Sequence, residues 1–351
     1  MSIDAALMND LVAGRDLDPE RMADAMRSIM TGGATEAQIG GFLIALRMKG
    51  ESVDEIAAAA AVMRELATDV PVDATLTDKL VDTCGTGGDA SGLFNVSTAS
   101  AFVVAAAGGH VAKHGNRSVS SKSGSADLLE AAGIGLDTNP EQVAECIRRL
   151  GVGFMFAPAH HGAMKYAVGV RRELGIRTLF NIIGPLTNPA GARNQVMGVF
   201  NGHLCEPLAE VLHKLGSRHV MVVHGEDGLD ELSINAPSRV AELKDGQVTT
   251  YKIAPEDVGL ERGSLDGLRV RDAAESLAIV QEVLSGKPGL AADMVAFNAG
   301  AALYVGGTTP DLATGVERAR AAIASGEAGQ RMAAVAELTQ QMTGLAGATP
   351  P

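Results

Sequence analysis

Residues 82–125 limit the possible folds of this chain more than any other stretch. They open with DTCGTGGD, pass through LFNVSTASAFVVAAAGG, and close with HVAKHGNRSVSSKSGSAD from His110 to Asp127. An apolar lead-in, Lys79-Leu80-Val81, enters a turn containing Gly85, Gly87 and Gly88 and closed by Asp89. Glycines at such a turn let backbone N–H groups approach a ligand and permit positive φ. Ala99, Phe102, Val103 and Ala106 then recur at helical spacing. Ser97 and Thr98 stand where an N-cap is expected, and Gly108-Gly109 end the run. Strand, glycine loop and helix N-terminus in succession make an anion site.

The second half of the stretch adds cations. Between Gly108 and Ser125 lie Lys113, Arg117 and Lys122 with no acid, among His114, Asn116, Ser118, Ser120, Ser121, Ser123 and Ser125. The whole chain carries a net charge of −13, so this acid-free run stands apart from its surroundings. Each charge-assisted bond to a phosphate contributes about 1.5–3 kcal/mol. The pattern therefore suits a polyphosphate ester. The same acidic balance, with no Trp, 3 Tyr and 8 Phe, argues against nucleic-acid binding. Cys84, Cys146 and Cys205 form no CxxC pair, so neither a zinc knuckle nor a disulfide framework is expected, and Cys84 reads as small buried filler.

The 351 residues allow one to three domains. Residues 1–70 read as short helices. Asp18-Pro19 is a cap with proline in the first turn, Thr35 caps the next helix, and Ser52 with Glu55 makes a capping box. From Val70-Pro71 the texture changes. Apolar runs near 80–82, 110–113, 153–157, 195–200 and 219–224 alternate with helical patterns at 97–107, 125–132, 140–150 and 205–215. That alternation predicts an α/β fold with a mostly parallel central sheet, whose ligands lie at the carboxyl ends of strands. Residues 159–191 turn helical again and carry His161, Lys165, Arg171-Arg172, Arg177 and Gly184-Pro185. This insert is expected to return to the N-terminal bundle. The predicted division is a small helical lobe of 1–70 with 166–192 and a larger α/β lobe of 71–165 with 193–351. Lys244-Asp245-Gly246 predicts a hairpin, and residues 272–346 read as helices.

After the run at 219–224 come Glu226, Asp227, Asp230 and Glu231. Adjacent carboxylates beside a polyphosphate are a usual way to hold Mg²⁺. The N-terminus lacks the basic and apolar segments of a signal peptide, and the longest apolar runs are too short to span a bilayer. A cytoplasmic location is expected.

GTGGD at 85–89, NVST at 95–98, KHGNRSVSS at 113–121, GSAD at 124–127, VRRELGIRT…GPLTNPAG across 170–191 and DGLDE at 227–231 occur in this order. Together they resemble the anthranilate phosphoribosyltransferase family. The resemblance implies the two-lobed fold shared with pyrimidine nucleoside phosphorylases, and a homodimer through the helical lobe. It implies transfer of phosphoribosyl from phosphoribosyl pyrophosphate (PRPP) to the amine of anthranilate, in tryptophan biosynthesis. By the same resemblance Gly85, Gly88, Asp89, Asn95, Val96, Ser97, Thr98, Lys113, Asn116, Arg117, Ser118, Ser121 and Ser125 bind PRPP. Gly85, Asn116, His161, Arg171 and Pro185 line the anthranilate path. Ser97, Asp230 and Glu231 hold Mg²⁺, and Lys113, His114 and Arg171 are the catalytic side chains. Two positions depart from the family pattern: Leu93 replaces a threonine, and Gly162 replaces a proline.

No Ser–His–Asp or Cys–His set is evident, and this reaction needs none. An aromatic amine is already a neutral nucleophile at pH 7. The demand is on positioning and on stabilising the departing diphosphate. Arg171 suits the anthranilate carboxylate. His114 stays open between an imidazole satisfied by backbone and a proton handler. The competing readings are a pyrimidine nucleoside phosphorylase, disfavoured by GTGGD and the acid pair, and a nucleic-acid-binding relative, disfavoured by the negative charge.

Overall fold

The computed structural model describes residues 3–89, 91–118 and 122–344. Four helices come first: α1 (Ala5–Val12), α2 (Pro19–Met30), α3 (Glu36–Lys49) and α4 (Val53–Glu65). Their starts follow the expected capping chemistry. Asp18 accepts from the Arg21 amide, and Thr35 with Gln38 and Ser52 with Glu55 close capping boxes. The buried ammonium of Lys49 is bound by the fully buried Glu55 at 2.8 Å and by Asp16.

A single turn, α5 (Ala74–Thr77), leads into β1 (Leu80–Gly85). Then come α6 (Val96–Ala106), β2 (His110–Gly115), α7 (Ser125–Ala131), α8 (Pro140–Leu150) and β3 (Val152–Phe156). The insert breaks into short pieces, α9 (Ala157–His160), α10 (Lys165–Leu174) and α11 (Leu179–Ile183), joined by 3₁₀ turns. The chain continues through β4 (Asn194–Gly198), α12 (Cys205–Lys214), β5 (His219–Gly225), β6 (Ser238–Lys244) and β7 (Gln247–Ile253). It finishes with α13 (Ala273–Leu284), α14 (Leu290–Val305), α15 (Leu312–Ala324) and α16 (Glu327–Thr343).

The seven strands lie in the order β3-β2-β1-β4-β5-β6-β7. The first five are parallel, and the β6–β7 hairpin adds two antiparallel strands at one edge. The sheet is therefore mostly parallel, as expected. Side-chain alternation divides its central strands between two cores. Val196, Met221 and Val223 face α6, α14, α15 and α16. Met197, Val220 and Val222 face α12 and share a core with α1–α4, α10 and α11. Burial on both faces is the rule for a parallel sheet. In the last turn of α4, Arg64 reaches out of the helix: its Nε donates to the Leu186 carbonyl at 2.7 Å and its Nη1 to the Leu215 carbonyl at 3.1 Å.

Strand order reverses at β1, where β2 lies on one side and β4 on the other. That reversal opens a crevice beyond the carboxyl ends of these strands. The glycine loop leaves β1 there. No described helix is long and apolar enough to cross a membrane.

Candidate active site

Lys113 is on β2, opposite Phe154 of β3, and its side chain is only 3 % exposed. Its ammonium donates to the Thr83 carbonyl of β1 and to Ser97 Oγ at 3.2 Å. Burial holds its pKa below the ordinary lysine value, opposed by the fields of Asp82, Cys84, Glu231 and Asp230. Asp82, buried on β1, accepts the His114 amide through Oδ1 at 3.2 Å, while Oδ2 has no partner among the described residues. Desolvation lifts the Asp82 carboxyl to about 6, with Asn188 and Lys113 working against it.

The acid pair meets the glycine loop from the other side. Asp230 Oδ2 accepts the Gly87 amide at 2.9 Å. A Cβ on Gly198, at the end of β4, would lie 1.5 Å from the Asp230 carbonyl, so only glycine lets the 227–231 turn come this close. Desolvation first, then the charge of Asp89, raises Asp230 to about 7. Glu231 is pushed well above the usual carboxylate range by desolvation and by Asp230, although the Ser97 amide bonds it. Among the described residues no group of three or more His, Cys, Asp or Glu side chains can hold a metal by itself. The crowded, desolvated carboxylates fit Mg²⁺ all the same. That ion takes one or two carboxylates and completes its shell with water and substrate phosphates.

The N-cap of α6 is Asn95, not Ser97 or Thr98, which lie inside the first turn. The Asn95 side chain makes no cap bond. It is held instead by Ser123 Oγ at 2.8 Å and by Ser276 Oγ of α13 at 2.7 Å, so it ties Ser123 and α13 to the start of α6. Val96 and Thr98 have buried side chains, and Thr98 Oγ1 has no partner among the described residues. Thr98 and Lys113 line a cavity of about 10 Å³ with Phe102, Leu129 and Phe154.

In the loop, Asn116 is exposed, and Ser125 Oγ donates to its carbonyl at 3.3 Å. The Ser118 amide donates to Asp127 at 2.9 Å. Arg117 is paired with Glu130 at 2.6 Å and lies near Asp127, two acids placed just beyond the acid-free run. Ser121 lies outside the described residues.

On the acceptor side, His161 is buried between its 3.5 Å contact to Thr187 Oγ1 and the His114 ring, whose centroid is 5.0 Å away. Burial, then the neighbouring His161, drops His114 to about 3. Burial and His160 drop His161 to about 4. His114 Nε2 has no partner among the described residues. Arg171, on α10, lies over the Phe180 ring at 5.4 Å with no described carboxylate paired to it. The Pro185 carbonyl accepts Gln195 Nε2 at 2.6 Å, and the same nitrogen lies 3.0 Å from Cys84 Sγ. Asn188 Nδ2 donates to the Ala112 carbonyl at 2.9 Å, pinning the 184–190 turn to β2 beside Lys113.

Sequence motifs did not single out Asp82, Asn188, Gln195 or Ser276. Asn188 lay within a quoted motif without a role. Asp82, as an acid inside an apolar strand, carried the one local signal.

The fold and the site define a glycosyl transferase. A family model described as "Glycosyl transferase family, helical bundle domain" matches residues 5–67, and one described as "Glycosyl transferase family, a/b domain" matches 77–329. The chain belongs to the anthranilate phosphoribosyltransferase family. It is 65 % identical to the enzyme of that name from Thioalkalivibrio sulfidiphilus, over 92 % of this chain and 95 % of the relative. The crystal structure of the Thermus thermophilus anthranilate phosphoribosyltransferase superposes with a TM-score of 0.89 at 45 % identity, covering 95 % of this chain and 99 % of that one. The Saccharomyces cerevisiae enzyme, solved in complex with PRPP and Mg, gives 0.85 at 26 % identity over 97 % and 99 %.

Proposed function

We propose that the protein transfers the phosphoribosyl group of PRPP to the amine of anthranilate, releasing diphosphate, in tryptophan biosynthesis. The observation that carries this reading is the buried Lys113 ammonium, fixed between the Thr83 carbonyl and Ser97 Oγ at the mouth of the glycine loop. Family membership supports it.

Loss of diphosphate leaves positive charge on the ribose C1 and negative charge on the leaving group. Lys113, the Ser97 hydroxyl and the loop amides are oriented before the reaction, so little reorganisation is needed as charge develops. Asn95 positions Ser123 beside the sugar-phosphate site, with Gly85, Gly88, Asp89, Val96, Thr98, Asn116, Arg117, Ser118, Ser121 and Ser125 as the remaining donor-side set. Mg²⁺ is the cofactor of this reading: Asp230, Glu231 and Ser97 would hold it, and it would supply positive charge to the diphosphate oxygens.

Arg171 pairs the anthranilate carboxylate. Gly85, Asn116, His161 and Pro185 line the path to C1. His114 and His161, held far below the ordinary imidazole range by burial, are uncharged at pH 7 and poor proton acceptors. In this reading they serve as hydrogen-bonding walls of the anthranilate path. The amine lone pair needs no base to attack C1; the C1–O bond to diphosphate breaks as the C1–N bond forms, and the acidic proton of the resulting ammonium is lost to the departing diphosphate or to water.

The division into lobes of 1–70 with 166–192 and 71–165 with 193–351 belongs to this reading. So do a homodimer and a cytoplasmic setting without nucleic-acid or membrane partners. Among the described residues Val12, Met48, Tyr166, Val168 and Ile176 are the exposed large apolar side chains, all on or beside the helical bundle, which supports pairing there. The test is loss of anthranilate fluorescence on adding PRPP with Mg²⁺. Turnover that requires all three supports the assignment, and a rate equal to that without protein overturns it.

A further inference from the structure

Arg177 lies in the short link between α10 and α11, yet its guanidinium reaches the glycine loop. Nη2 donates to the Thr86 carbonyl at 3.2 Å, and the group lies over the Phe200 ring at 3.8 Å. A Cβ on Gly88 would fall 1.6 Å from Nη1, so the loop backbone is packed directly against the cation. Gly88 has φ of +80°, a conformation that disfavours any side chain there independently. Asp230 and Asp89 are close enough to act on Arg177 electrostatically, but no described carboxylate forms an ion pair with it. Its Nε is buried and unpartnered among the described residues. Lys113 approaches the crevice from the β2 side, and Arg177 approaches from the insert that carries Arg171.

We propose that Arg177 is a positioning residue of the donor site: it latches the glycine loop through Thr86 and Gly88 and balances Asp230, one of the acids of the metal position, and the neighbouring Asp89. This rests on PRPP as the donor, proposed above. Two effects of opposite sign follow. Removing the cation weakens binding of a polyanion, because the loop loses its latch and its positive field. The same change tightens binding of a bare divalent cation, because Asp230 and Asp89 lose a competing charge. General damage to the fold would weaken both.

Two variants separate charge from packing. Arg177→Met keeps contact with the Phe200 ring but not the charge, and Arg177→Lys keeps the charge but not the planar fork. Arg177→Gln replaces the methionine variant if that one does not fold. PRPP binding is measured by calorimetry without anthranilate, and Mn²⁺ binding by electron paramagnetic resonance without PRPP. Arg177→Met is expected to bind PRPP about tenfold more weakly. It is expected to bind Mn²⁺ roughly two- to threefold more tightly. Arg177→Lys is expected to stay within about threefold of wild type on both. Equal weakening of PRPP and Mn²⁺, equal loss in the lysine and methionine variants, or no change in either overturns the role of Arg177. Wild-type protein that fails to bind PRPP overturns the donor assignment, and the inference with it.

Discussion

On the donor side of the crevice Asp82 and Lys113 stand on strands, and the turns that carry Asp89, Asp230 and Glu231 close against them. Asp82 and Lys113 occupy neighbouring parallel strands, each fixed by ladder hydrogen bonds, and both are almost wholly removed from water. On the acceptor side, Arg171 and Pro185 stand on short helices and turns between Ala157 and Leu186, and both are partly exposed. The donor side meets charge that appears during the reaction, where a small displacement is expensive. In the proposed reaction the acceptor side holds a carboxylate whose charge does not change. A rigid sheet edge suits the first task, and a half-exposed helix suffices for the second.

The largest effect expected from this contrast is at Lys113. Lys113→Met should lower kcat/KM for PRPP by about 10³, with anthranilate KM changed far less. Steady-state kinetics with each substrate varied decides this, and a loss confined to anthranilate KM would erase the distinction between the sides. Next comes Arg171→Ala. It should raise anthranilate KM by about 10- to 100-fold, the loss of a charge-assisted pair, while PRPP affinity measured by calorimetry stays unchanged.

A third test uses acid. The folded-state pKa of His114, about 3, lies below its ordinary value of 6.5. Its neutral form therefore stabilises the fold fully above pH 6.5, and that contribution is lost as pH falls towards 3. The slope for one proton is about 1.4 kcal/mol per pH unit. His114→Gln should flatten urea-unfolding free energies by that slope between about pH 6 and 4. His161 should show the same sign over a narrower window, since it sits at about 4.

The smallest effect is expected at Leu93, which is half-buried and bridges Arg269. Leu93→Thr should improve PRPP affinity by no more than about threefold, the worth of one neutral hydroxyl bond. A tenfold gain in calorimetry would mean that the donor side is less completely built than the contrast requires.

The sheet, the hairpin and the C-terminal helices were legible because their signals are local: period, caps and turn residues. The ends of β1 and β2 were read short. Thr83 and His114 look like loop residues when nothing in the sequence says that neighbouring strands will bury them. The helix end at Gly175 is legible in the insert and is the left-handed cap of α10, but Pro158, Gly162 and Pro185 divide the rest into more pieces than its pattern suggests. The cap of α6 was misplaced because Asn95, a good capping residue, uses its side chain on Ser123 and Ser276 instead. Arg117 looked like a free phosphate ligand because Asp127 and Glu130 lie just outside the window that seemed free of acids. Asn188 and Gln195 act on residues distant in sequence, and Arg177 reaches Thr86, so no local pattern reveals their partners.

Arg64 sets a mechanical condition on any change of shape. Its guanidinium is largely desolvated, which holds its pKa below the ordinary arginine value, and its described partners are two peptide oxygens far apart in the chain. A swing of the first four helices that broke both bonds would strand a charge in a poorly hydrated seam. Motions that keep both must turn about this residue, which makes it a pivot pin rather than a latch.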